Sequence, residues 1–231
     1  MNSRRFFIPV CLYPHTKYRT HAGVRELFEK YQLRSHDYLI VVADRLLVLD
    51  RLVTGRYWSL ASATAKAKQE AEQIFKLVTR VSHKMKAQTA GRIVYWDEIT
   101  EAAEFCVFAD RLRREVLADD LLCAEIDEFV TRRVTRFGME GGSQHECEYE
   151  REYLLSELCM SVFCTEVLGF SHEVWERAPA AEVPDPLKLL YGVRPELVAR
   201  VTGRPVARVL HFLYSEHKGA RPAGEMVLAE S

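Results

Sequence analysis

Seven consecutive residues, YLIVVAD from Tyr38 to Asp44, constrain the fold more than any other stretch of the chain. The run is apolar at almost every position. It cannot alternate a wet face with a dry one, so both faces must be covered. That is the signature of a central strand in a parallel sheet with helices packed above and below. Phe6 to Tyr13, ended by Pro14, is a second buried strand, and the two are expected to be adjacent and parallel. RIVYW supplies a third strand, and HEVWERAP is a candidate for the last.

Helical patterns fill the intervals. Gly23 to Tyr31 reads as a helix with Leu27 and Phe28 inward. The segment from Ser59 to Ala87 is alanine-rich and free of Gly and Pro, so it predicts one long helix. Further helices are expected from Asp97, from Leu117 to Phe137 and around Tyr153, with a short one over Pro184 to Gly192. GMEGGSQ reads as a flexible break before the Tyr153 helix. Strands alternating with helices predict an α/β fold, a Rossmann-like doubly wound parallel sheet between helices. A length of 231 residues suits one such domain, expected over 1–192. Residues 193–231 form an expected C-terminal extension, partly helical through ARVLHFLYSEH and frayed at its end.

Several function classes lose support. There is no GxGxxG or P-loop pattern, so no nucleotide cofactor is expected. The six cysteines form no CxxC pair and sit mostly among apolar neighbours, which predicts reduced thiols in a cytoplasmic protein. His145 and Cys147 lack a second pair of ligands, so no metal is expected. No window approaches the roughly 20 apolar residues of a membrane span. MNSRRFFIPVCLYPH is too short in its apolar run, and too interrupted by Pro9, to read as a signal peptide. A net charge of −1 confines any nucleic-acid surface to a local patch. Such a patch is available on the long helix. Lys66, Lys76, Arg80 and Lys84 fall within about 80° of arc at about 100° per residue, with Ile74, Val78, Val81 and Met85 on another side. A solvated helix face would look the same.

The stretch YLLSELCM places Tyr153 and Glu157 one helical turn apart on one face, inside otherwise apolar sequence. Taken alone, the pair also fits a core tyrosine and a carboxylate held by an arginine. The order of the segments adds to it. YLLSELCM resembles the YxxxEL motif of the tRNA-dependent cyclodipeptide synthases. YLIVVADRL, followed by an alanine- and lysine-rich helix, resembles the segment after that family's second strand, and YWDEI resembles its tryptophan-containing strand-to-helix junction. The resemblance runs from about residue 5 to residue 192 and depends on the ordered set rather than on any single motif.

The resemblance implies a fold related to the catalytic domain of class I aminoacyl-tRNA synthetases. It implies an enzyme that joins aminoacyl groups from two charged tRNAs into a diketopiperazine, with Tyr153 and Glu157 at the matching catalytic positions. Two departures mark a divergent member. Where the family's first strand ends in Gly-x-Ser, with Asn three residues later, CLYPHTKY puts Tyr13 at the serine position and Thr16 at the asparagine position. A Tyr-His pair common near the last strand is replaced by Trp175 and Glu176. An arginine-using branch of the family is similarly divergent, which makes arginine a candidate substrate.

An aminoacyl ester is already activated, so this chemistry needs neither ATP nor metal, and no cofactor is expected. It needs recognition of an α-ammonium, close positioning and proton transfer. Glu157 suits the ammonium, through a charge-assisted hydrogen bond, and Tyr153 suits the same nitrogen or a proton relay. Cys11, Tyr13 and Thr16 are the candidate nucleophiles. A thiolate attacks esters well, whereas a phenol with a pKa of about 10 is poorly suited unless deprotonated. Direct transfer without a covalent intermediate stays open. Asp44, Trp175 and Glu176 are candidate substrate contacts at strand ends, where ligands bind in doubly wound sheets.

The expected function is therefore cyclodipeptide synthesis from two aminoacyl-tRNAs. The missing serine raises a transferase to another small acceptor as the alternative, followed by a non-catalytic tRNA-binding relative. The expected partners are aminoacyl-tRNAs, with the chain a monomer or homodimer.

Overall fold

A computed structural model of the chain describes residues 4–10, 17–44, 48, 59–87, 91–136, 144–176, 190–204, 206, 211–215 and 226–227. Strand β1 is Arg5–Val10, and a turn at Lys17–Arg19 leads to helix α1, His21–Lys30. Strand β2 is Asp37–Val42, and helix α2 is Leu60–Lys84. Strand β3, Gly91–Tyr95, runs directly into the short helix α3, Trp96–Thr100. Helices α4 (Ala103–Ala118), α5 (Asp120–Arg136) and α6 (Gln144–Val162) follow, the last ending in a π-turn at Phe163–Val167. Strand β4 is His172–Glu176, helix α7 Pro195–Thr202, strand β5 His211–Ser215 and strand β6 Met226–Val227.

The strands form one sheet in the order β3-β2-β1-β4-β5-β6. Strands β1 to β5 are parallel, and β6 pairs antiparallel at the edge. The register sets Arg5 beside Asp37 and Val10 beside Val42, so the two strands read from the sequence are adjacent, parallel and central. Alternation explains why both had to be apolar. Phe6, Ile8, Val10, Tyr38, Ile40 and Val42 pack under α1 and α2. Phe7, Leu39, Val41 and Ala43 pack against the layer of α4, α5 and α6. The result is a three-layer α/β/α sandwich.

Local chemistry fixes the helix boundaries. The Thr20 side chain accepts the Gly23 N–H at 3.1 Å and starts α1. Ser59 does the same for α2 through the Ser62 N–H at 3.2 Å. The buried face of α2 includes Ala63, Ala67 and Ala71, whose small side chains let the helix lie close to the sheet. Between α4 and α5, Asp119 Oδ1 accepts the Leu122 N–H at 3.0 Å. That bond first, and Arg194 after it, hold the Asp119 carboxyl below the usual range. The segment expected as helix from Leu117 therefore breaks at a capped junction.

Two readings of the C-terminal part are corrected. His211–Ser215, expected within a helix, is strand β5, paired with β4 from His172↔His211 to Glu176↔Ser215. Strand β4 is consequently not the last. Residues 195–202 are helical, and Arg194 is tied to Asp119 at 2.9 Å and Arg200 to Glu115 at 3.1 Å. All of GMEGGSQ except Gln144 lies outside the described residues, as does 184–189 of the expected short helix.

Candidate active site

Strands β2 and β4 lie on opposite sides of β1, so the direction of winding reverses between β1 and β4. In a doubly wound sheet, a ligand crevice opens beyond the carboxyl ends at this switch point. Helix α6 runs back along the sheet before the chain enters β4. Ser161 Oγ donates to Glu173 Oε1 at 2.7 Å and pins the last turn of α6 to the second residue of β4. At 1.5 Å per residue, Glu157 stands about 6 Å and Tyr153 about 12 Å from Ser161 toward the carboxyl edge. The three strand steps from Glu173 to Glu176 cover about 10 Å. Tyr153 therefore reaches the level of the strand ends.

The second half of α6 is buried on all sides, by Leu154, Leu155, Leu158, Cys159, Met160 and Val162 among others. Polar groups in such a helix need partners. Tyr153 and Glu157 are 4% and 9% exposed, and the Tyr153 hydroxyl donates to Glu157 Oε1 at 2.9 Å. The pair thus forms a joined phenol and carboxylate rather than a lone core tyrosine. Glu150 and Ser161 continue the same line at spacings of three and four residues, giving a polar stripe on an apolar helix. Burial pushes the Cys159 thiol up to about 11 and the Cys164 thiol well above its ordinary value, so neither offers a thiolate near neutral pH.

Arg133 of α5 sits over the ring of Tyr153, 5.1 Å from its centroid, and approaches Glu150 Oε1 to 2.7 Å. Neither residue was singled out from the sequence. Arg133 lies among other arginines in VTRRVTR and looks there like part of a solvated face. The spacing of Glu150 from Glu157, two helical turns, is the available signal for the stripe.

The remaining candidates divide. Asp44 follows β2 and is buried. It is one of the charges that raise the Tyr95 phenol, after desolvation and Glu72, while Lys76 acts in the opposite sense. Tyr95, the last residue of β3, stacks on Phe75 of α2 at 4.4 Å. Asp44, Tyr95 and the Lys76 turn of α2 thus share the carboxyl edge. Trp175 and Glu176 end β4, in register with Tyr214 and Ser215. Cys11, Tyr13 and Thr16 lie outside the described residues, in the segment that follows Val10. The indole Nε1 of Trp96 and Oδ1 of Asp97 are buried without a hydrogen-bond partner among the described residues.

On α2, Lys76, Arg80 and Lys84 are exposed, and Arg80 and Lys84 make no ion pair among the described residues. Lys76 pairs with Glu72 one turn back at 2.5 Å. Lys66 is half-buried and engaged with Gln69 and Glu70, and Glu70 is also held by Arg19 at 2.6 Å. Helix α2 covers the sheet face opposite α6. The basic stripe and the Tyr153–Glu157 pair are therefore on different faces of the sheet, with Lys76 toward the carboxyl edge and Lys84, just past the Ser82 that meets Tyr38, toward the amino edge. Among the described residues there is no group of three metal-ligating side chains and no helix long and apolar enough to cross a membrane.

Comparison with solved structures places this architecture. A cyclodipeptide synthase from Fluoribacter dumoffii superposes with a TM-score of 0.66 at 14% identity, over 90% of this chain and 89% of that one. A cyclodipeptide synthase from Candidatus Glomeribacter gigasporarum, bound to Phe-tRNAPhe, gives 0.60 at 17% identity, over 100% and 94% of the two chains. The tyrosyl-tRNA synthetase of Archaeoglobus fulgidus gives 0.54 at 10% identity, over 93% of this chain and 56% of the synthetase. No family model and no curated protein matches the chain by sequence. The chain has the cyclodipeptide synthase fold, which it shares in outline with a tRNA synthetase.

Proposed function

We propose that the chain is a tRNA-dependent cyclodipeptide synthase, an aminoacyltransferase that condenses two aminoacyl-tRNAs into a diketopiperazine. The observation that carries this reading is the buried Tyr153–Glu157 hydrogen bond at the carboxyl edge of a sheet with that fold. Glu157 holds the α-ammonium of the first aminoacyl group. Tyr153, donating to the same carboxylate, fixes the rotamer of Glu157 and carries a proton between nitrogen and solvent. A second aminoacyl amine attacks the ester carbonyl, the carbon–oxygen bond to the tRNA ribose breaks, and the ribose oxygen takes the proton. The free amine of the dipeptide then attacks the second ester, closing the ring and releasing the second tRNA. In the route through a covalent intermediate, Cys11, Tyr13 (standing where relatives carry serine) or Thr16 attacks the first ester, and the first ribose oxygen leaves with the nucleophile's proton. The second amine then attacks the resulting enzyme ester or thioester in place of the first tRNA ester. Asp44, Trp175 and Glu176 are proposed to line the crevice.

Mass spectrometry of small molecules from a host expressing the protein tests the reaction. A new diketopiperazine supports it, and its mass identifies the amino acids, arginine among the candidates. A linear aminoacyl conjugate would instead favour transfer to another small acceptor, a reading motivated by the missing serine. No new product would favour a non-catalytic tRNA-binding role.

The tRNA is proposed to lie along α2. Charge reversal at Lys76, Arg80 and Lys84 together is expected to weaken aminoacyl-tRNA binding. Each lost phosphate contact should flatten the log–log salt slope by roughly 0.7–0.9. Filter binding across a salt series measures this, and an unchanged slope in the triple variant would place the tRNA on another surface.

A further inference from the structure

We infer that Arg133 is a positioning residue for Tyr153, locked in place by Glu150; its effect on catalysis rests on the function proposed above. Glu150 is fully buried, and a carboxylate in that state is costly unless a cation meets it. Arg133 supplies the charge, with Nε 2.7 Å from Oε1, in an approach that does not align the N–H on the oxygen. Its guanidinium carbon lies 5.1 Å from the Tyr153 ring centroid and 6.0 Å from that of Phe129. Those distances suit a cation over an aromatic face. A buried ion pair rarely outperforms apolar packing of the same volume in stability, so its contribution here is placement. The Tyr153 hydroxyl must reach Glu157 Oε1 one turn further along the same helix. A guanidinium over the ring face blocks the rotation that would carry the hydroxyl away.

The test uses the full chain with 3-fluorotyrosine incorporated, reading the fluorine resonance that is lost in Tyr153→Phe. A single sharp line is expected in the otherwise unchanged protein, and a broadened or split line in Arg133→Met, which keeps the stem volume. An unchanged line in Arg133→Met overturns the assignment, whether or not the protein makes cyclodipeptides. Kinetics extend the test. Arg133→Met should lower kcat about tenfold with KM changed less than twofold, and Arg133→Lys should recover most of the loss. In the Tyr153→Phe background the same substitution should cost less than twofold, because the hydroxyl it positions is already gone. Equal losses in both backgrounds would make Arg133 structural only. Where Arg133→Met fails to fold, Glu150→Gln enters the same fluorine and kinetic comparison with the same two outcomes.

Discussion

Glu157→Gln should lower cyclodipeptide formation at least tenfold, about 1.4 kcal/mol of transition-state stabilisation, while the protein stays folded. The amide keeps the size of the carboxylate and can still accept the hydrogen bond that Tyr153 now donates at 2.9 Å. What it loses is the negative charge that pairs with an α-ammonium, and charge-assisted hydrogen bonds are roughly twice as strong as neutral ones. Tyr153→Phe should act in the same direction, removing one hydroxyl and leaving the ring beneath Arg133. Product formation from purified aminoacyl-tRNA, normalised to folded protein, measures both. If both variants match the parent, the pair is structural.

Gly91→Ala should destabilise the fold by about 3 kcal/mol or more, at the upper end of what overpacking costs. Gly91 faces Tyr38 across the β2–β3 ladder. A Cβ at Gly91 would overlap both the carbonyl oxygen and the ring of Tyr38. The ring cannot readily retreat. Its hydroxyl lies 2.9 Å from Ser82 Oγ and donates to the Ala87 carbonyl at 3.1 Å, and Phe28 meets it edge-on at 5.6 Å. A thermal melt should fall by roughly 6–12 °C, taking about 2–4 °C per kcal/mol for a chain of this size. A melt within 2 °C of the parent would mean that β3 can shift away from β2 at little cost.

The central sheet was legible because burial on both faces forces apolar residues at every position, and Tyr38–Val42 has no other reasonable use. Helix α2 was legible for the complementary reason, a long run of good helix formers without Gly or Pro. Strand β5 was not. His211–Ser215 takes its conformation from pairing with β4, and a run of three hydrophobic residues between a histidine and a serine does not declare its period. The junction at Asp119 was also missed, because its cap depends on which side chain meets the Leu122 N–H.

At the site, spacing alone put Tyr153 and Glu157 on one face, and the structure joins them by a hydrogen bond. Arg133 could not be found that way. Its relation to Tyr153 exists only through the packing of α5 on α6, and in sequence it resembles its exposed neighbour Arg132. Cys11, Tyr13 and Thr16 stand as proposals from the sequence, since they lie outside the described residues.

The most direct measurement is a reaction of the purified protein with a set of purified aminoacyl-tRNAs, the products resolved by mass spectrometry alongside Glu157→Gln. The account predicts a cyclic dipeptide, two deacylated tRNAs for each ring closed, no requirement for ATP, and at least tenfold less product from the variant. Release of tRNA without any peptide bond, or equal product from both proteins, would contradict it.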